Sequence, residues 1–88
     1  MKRTLRIVNE KGLHARASAK FVEVVEGFDA DVNVRKDGME VSGDSIMGLL
    51  MLAASRGTSI EVEVKGAEAD ALAEALTALV ANRFGEDF

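Results

Sequence analysis

From Ser59 to Lys65 the chain alternates residue by residue, with Ile60, Val62 and Val64 on one side and Glu61, Glu63 and Lys65 on the other. Strand side chains point to opposite faces with a period of two, so this segment is a strand with one apolar face. Arg3 to Val8 repeats the pattern through Leu5 and Ile7, and Asp31 to Lys36 repeats it through Val32 and Val34. A sheet made of such strands buries one face only, so its helices must all lie on the same side. Antiparallel pairing follows as the expectation, because parallel sheets are usually covered on both faces.

The segments between the strands fit that plan. Asn9-Glu10-Lys11-Gly12 is turn chemistry, and Ala15 to Glu26 carries Ala15, Ala19 and Val22, with Phe21, Val24 and Val25, on a broad helical stripe that Gly27 stops. Asp37-Gly38 is a hairpin signal because both positions tolerate positive φ, and Met39 to Val41 returns as a short strand. Ser45 is a natural N-cap for a second helix over Ile46 to Ser55, with Gly57 as its stop. A last helix runs from Glu68 to Asn82 through Leu72, Leu76, Leu79 and Val80, with Gly85 beyond it. The order is β-α-β-β-α-β-α. The expected class is α+β: an open-faced two-layer sandwich over residues 1–88, with an antiparallel four-stranded sheet and three helices on one face.

Such a short chain must be held by packing alone. It has no cysteine and one histidine, so neither a disulfide framework nor a His/Cys zinc site is available. No metal or cofactor is expected. Met1 to Val8 contains no signal-peptide core, and the longest apolar run, Leu49 to Ala54, is six residues against the ~20 that span a bilayer. A cytoplasmic monomer without membrane insertion is the expectation. Net charge is −4, yet residues 1–20 carry +5 and the remainder −9. Overall acidity and the absence of Tyr and Trp argue against a nucleic-acid partner. The basic end favours an acidic surface or a phosphate.

The only histidine lies in that basic end, in Gly12-Leu13-His14-Ala15-Arg16, where a turn becomes a helix. A helix start presents unpaired N–H groups and the positive end of the dipole, which receive an anion. That positive end favours the neutral imidazole, whose ring nitrogen is a nucleophile toward phosphorus. Arg16 would stabilise the charge that phosphorylation adds. No carboxylate adjoins His14 in sequence, and no glycine-rich nucleotide loop is present. The chemistry is that of a carrier, which accepts and donates a phosphoryl group without binding a nucleotide.

Gly12-Leu13-His14-Ala15-Arg16 closely resembles the active-site signature of the histidine-containing phosphocarrier (HPr) family of the phosphoenolpyruvate-dependent phosphotransferase system. Asp44-Ser45-Ile46-Met47-Gly48 resembles that family's regulatory serine region, and Arg56-Gly57 follows at the familiar distance. The likeness spans essentially the whole chain. Gly27-Phe28-Asp29-Ala30, Leu49-Leu50-Met51-Leu52 and Ile60-Glu61-Val62-Glu63-Val64 look like the nitrogen-related branch (NPr) as well, so the end use, sugar transport or nitrogen-related regulation, stays open. The resemblance implies phosphorylation of His14 on Nδ1 by enzyme I, onward transfer to an enzyme IIA, and a sheet ordered 1-4-2-3. It further implies Ser45 as a regulatory phosphorylation site, with a serine kinase/phosphorylase and regulatory proteins as partners. The family commonly has proline after the arginine, where this chain has Ala17. That keeps an N–H and leaves the first helical turn less rigid.

Ile46, Met47, Leu50 and Met51 hold more apolar surface than one face of a short helix buries, so a docking patch is expected there, with Leu49 and Leu52 in the core. Ala15, Ala17, Lys20 and Gly48 complete the expected docking surface. Glu61 and Glu63 read as solvation, without an acid–base role. The rival reading is an HPr-like regulatory binding module without phosphotransfer. Retention of both His14 and Arg16 favours the carrier over it.

Overall fold

The computed structural model describes Met1–Phe88. Strands β1 (Lys2–Arg6), β2 (Asp31–Lys36), β3 (Met39–Ser42) and β4 (Ser59–Lys65) alternate with helices α1 (Ala15–Glu26), α2 (Ile46–Met51) and α3 (Ala69–Ala81), and a 3-10 turn, Arg83–Gly85, closes the chain. The sheet order is β1-β4-β2-β3, and every pairing is antiparallel. The register pairs Leu5 with Ile60, Val62 with Val34 and Val34 with Val41, which puts the apolar residues of all four strands on one face. All three helices cover that face, and no helix is long and apolar enough to cross a membrane.

The core follows from this one-sided cover. Ile7, Phe21, Leu49, Ile60, Leu72, Leu76 and Phe84 are fully buried in it, each contributing roughly 1.5–3 kcal/mol of apolar burial. On the open face Arg35 reaches Glu40 (2.5 Å), Glu61 (2.9 Å) and Glu63 (2.8 Å). The two strand glutamates therefore hold a guanidinium besides solvating the sheet. Arg35 holds the Glu63 carboxyl below its ordinary value, against a smaller opposing effect of burial.

Asp37 (φ 51°) and Gly38 (φ 83°) form the hairpin turn with both central residues at positive φ, as the dipeptide predicts. Two expectations change. Helix α1 buries Ala17, Ser18, Phe21, Val22 and Val25, whereas Ala15 and Ala19 face solvent, so its apolar stripe is rotated from the one expected. Ser18 makes the rotation tolerable by donating its hydroxyl to the Leu13 carbonyl at 3.2 Å. Helix α2 ends at Met51, short of Ser55, because Ala53 turns to φ 50° and the Ala54 carbonyl accepts from the Leu13 N–H at 2.9 Å. The chain there serves the start of α1 in place of its own helix.

That junction requires Gly12. Its φ is +65°, and a Cβ on it would lie 2.5 Å from the Ala54 carbonyl oxygen. Gly12→Ala is expected to lower stability by about 2 kcal/mol in urea denaturation; a loss too small to measure would show that the close approach carries no weight.

Candidate functional site

His14 is the N-cap of α1, with an extended backbone (φ −76°, ψ −177°), and its carbonyl opens the helix by accepting from the Ser18 N–H at 2.8 Å. Its side chain makes no capping bond. The main-chain N–H groups of Ala15, Arg16 and Ala17 form no hydrogen bond within the protein. Three free donors thus stand at the positive end of a twelve-residue helix, beside a quarter-exposed imidazole.

The fold brings to His14 a carboxylate that no sequence spacing places there. His14 Nε2–H donates to Glu86 Oε2, across 72 residues of chain. The other carboxylate oxygen, Oε1, accepts from Asn9 Nδ2 at 3.0 Å, and the same amide donates to the Gly12 carbonyl at 2.8 Å. Asn9 itself is fully buried. Burial pushes the Glu86 carboxyl up, but the hydrogen bonds from Asn9 and His14 outweigh it and hold the group below its ordinary value. Ionised, Glu86 is an acceptor only, so the shared proton sits on Nε2. Nδ1 has no hydrogen-bond partner within the protein and, in the neutral ring, carries the lone pair.

Glu86 is held there by the turn after α3. Arg83, Phe84 and Gly85 all have positive φ (56°, 54° and 79°). The Phe84 side chain is fully buried, its carbonyl accepts from Lys20 Nζ at 2.7 Å, and Glu10 N–H donates to the main-chain oxygen of Phe88 at 3.0 Å. The expected helix, ending at Asn82 with Gly85 beyond it, does not include this turn. The signal for it was Phe84, a lone aromatic past the end of an apolar helix.

Arg16 is exposed and makes no ion pair or hydrogen bond, and it lines one open cleft with His14, Lys11, Lys20 and Glu86. Lys20, expected to face partners, is half-buried and commits its ammonium to the Phe84 carbonyl. Ala17 is a correction: its side chain has no exposed surface and packs in the core, so only its N–H faces the site. Ala15 is exposed beside His14.

On α2, Ile46, Met47 and Met51 are 40%, 70% and 64% exposed, Leu50 is half-buried, and Leu49 and Leu52 are core. Gly48 lets α2 lie against β3, since a Cβ there would stand 2.9 Å from Val41 Cβ. A shallow groove lined by Leu13, His14, Leu50, Ala53 and Ser55 joins the histidine to this apolar surface. Ser45 caps α2, its Oγ accepting from the Gly48 N–H at 3.0 Å.

Residues 1–82 match the PTS-HPr family model, described as the PTS HPr component phosphorylation site. The phosphocarrier protein HPr of Neisseria meningitidis serogroup B is 48% identical over 86 residues, which cover 98% of this chain and 97% of that one. The phosphocarrier protein NPr of Escherichia coli K12 is 41% identical over 88 residues, covering 99% and 98%. Among solved structures, HPr-C-His from Thermoanaerobacter tengcongensis superposes with a TM-score of 0.94 at 34% identity, covering 100% of this chain and 99% of that one. HPr from Bacillus anthracis superposes with a TM-score of 0.86 at 36% identity, covering 91% and 95%.

Proposed function

Because the chain belongs to the HPr family of phosphocarriers of the phosphotransferase system, we propose that His14 is its phosphorylated residue, taking the group from enzyme I and passing it to an enzyme IIA. The observation that carries this reading is the unpartnered Nδ1 of the only histidine, on the residue that caps a helix with three free N–H groups and that lines one cleft with an uncommitted guanidinium. The Nδ1 lone pair forms the new bond to phosphorus as the bond between phosphorus and the donor atom breaks, its electron pair staying with the donor. Charge on the equatorial oxygens of the passing phosphoryl group is met by Arg16 and by the N–H groups of Ala15, Arg16 and Ala17. Ala17 adds a donor where the family commonly has proline.

The chain acts as a carrier, not an enzyme: it is altered by each transfer and restored only by the next. The whole of residues 1–88 serves as one phosphocarrier domain, and the cytoplasm is its compartment. Ile46, Met47, Leu50 and Met51 form the docking face for both partners, since the groove from His14 reaches Leu50, the other three are exposed on the same short helix, and flexible methionines adapt to different surfaces. Ser45 is a regulatory phosphorylation site at the edge of that face. Added phosphate there lies at a helix start, which the fold tolerates, and it repels an acidic partner.

Incubation with enzyme I and phosphoenolpyruvate is expected to place one acid-labile, base-stable phosphate on the wild type and none on His14→Ala. Label retained by His14→Ala would refute the assignment. Arg16→Ala should melt within about 0.5 kcal/mol of the wild type yet accept phosphate slowly, and an unchanged rate would remove Arg16 from the reaction. For the docking face, enzyme I should bind Met47→Glu and Ser45-phosphorylated protein more weakly than unmodified protein. Equal affinity for all three would place the face elsewhere.

A further inference from the structure

Glu86 touches the reacting histidine but belongs to neither sequence motif. We infer that Glu86, itself oriented by Asn9, is a positioning residue for phosphotransfer, fixing the proton on His14 Nε2 and turning Nδ1 toward the phosphoryl donor. This inference rests on the reading that His14 carries the phosphoryl group.

Three groups form a line: the buried Asn9 amide, the Glu86 carboxylate and the imidazole. The amide has one workable orientation, because both of its neighbours, the Gly12 carbonyl and Glu86 Oε1, are acceptors. Fixing the amide fixes one carboxylate oxygen, which leaves the other to receive Nε2–H. The bond made by one ring nitrogen decides what the other nitrogen does. The support behind Glu86 is equally determined. Arg83 and Phe84 lie in the left-handed region, which side chains other than glycine rarely adopt, and the buried Phe84 ring and the Lys20 hydrogen bond hold them there.

The charge balance gives this arrangement a use. When Nδ1 forms its bond to phosphorus, the donor atom keeps the electron pair of the bond that breaks. The proton stays on Nε2, so the phosphorylated ring gains positive charge, and the Glu86 carboxylate lies against it. In the onward transfer the Nδ1–phosphorus bond breaks, its electron pair returns to Nδ1, and the neutral Nε2–H ring is restored. Neither step requires a proton to move. Lys11, Arg16 and Lys20 line the same cleft, opposed by Glu10 and Asp87. None of these makes a hydrogen bond to the imidazole; Glu86 does.

The test compares wild type, Glu86→Gln and Glu86→Ala in two measurements: the rate of phosphate acceptance from enzyme I with phosphoenolpyruvate, and proton–nitrogen NMR of the His14 ring. Glu86→Ala should accept phosphate about tenfold more slowly, and Glu86→Gln, whose amide oxygen still accepts from Nε2–H without the charge, about threefold more slowly. The wild type should show a hydrogen-bonded Nε2–H signal that Glu86→Gln weakens and Glu86→Ala loses to exchange with water. A folded Glu86→Gln or Glu86→Ala protein that accepts phosphate as fast as wild type, or faster, overturns the inference while leaving His14 as the carrier. A wild type that takes no label overturns the parent reading and this one together.

Discussion

The hydrogen bond from the Leu13 N–H to the Ala54 carbonyl holds the molecule's working surface together. It is possible only because Gly12 has no side chain to fill the space. Across it, the start of α1 is pressed against the chain leaving α2, so the histidine and Leu50 of α2 line one groove. Helix α2 gives up its last turn to make this contact. The one-sided sheet sets the condition beneath it, since with a single face to cover, α1 and α2 must be neighbours.

The same turn holds the site's electrostatics. Asn9 bonds the Gly12 carbonyl with the amide that also bonds Glu86, so one buried side chain shapes the loop before α1 and captures the segment after α3. The imidazole is therefore held from both ends of the sequence. Its backbone is fixed by the helix it begins, and its ring by a carboxylate at the far end of the chain. What remains open is one nitrogen, three N–H donors and a free arginine, a set of groups suited to a phosphoryl group in transit.

Much of this was legible in the residues. Alternation through Ile60, Val62 and Val64 marked β4 to the residue, and Gly27 marked the end of α1. Asp37-Gly38 announced its turn type, and Ser45 its cap. These signals are local, and local signals survive tertiary packing. The strand order was not readable from periodicity and came only with the family resemblance. The losses were all decided by distant partners. Ala17 rather than Ala15 faces the core because of how α1 rests on the sheet. Ala53 leaves the helix because Leu13 needs an acceptor. Glu86 reaches His14 because Phe84 buries itself and carries the following residues across the cleft. No spacing rule links positions 14 and 86.

The central claim is that the fold leaves Nδ1 of His14 as the reacting atom by engaging Nε2. Phosphorus–nitrogen coupling, measured by NMR on nitrogen-15-labelled protein after phosphorylation by enzyme I and phosphoenolpyruvate, reads that atom directly. The account predicts coupling to Nδ1, with Nε2 still bearing its proton. Phosphorus bonded to Nε2 would mean that the Glu86 contact breaks before transfer, and would contradict it.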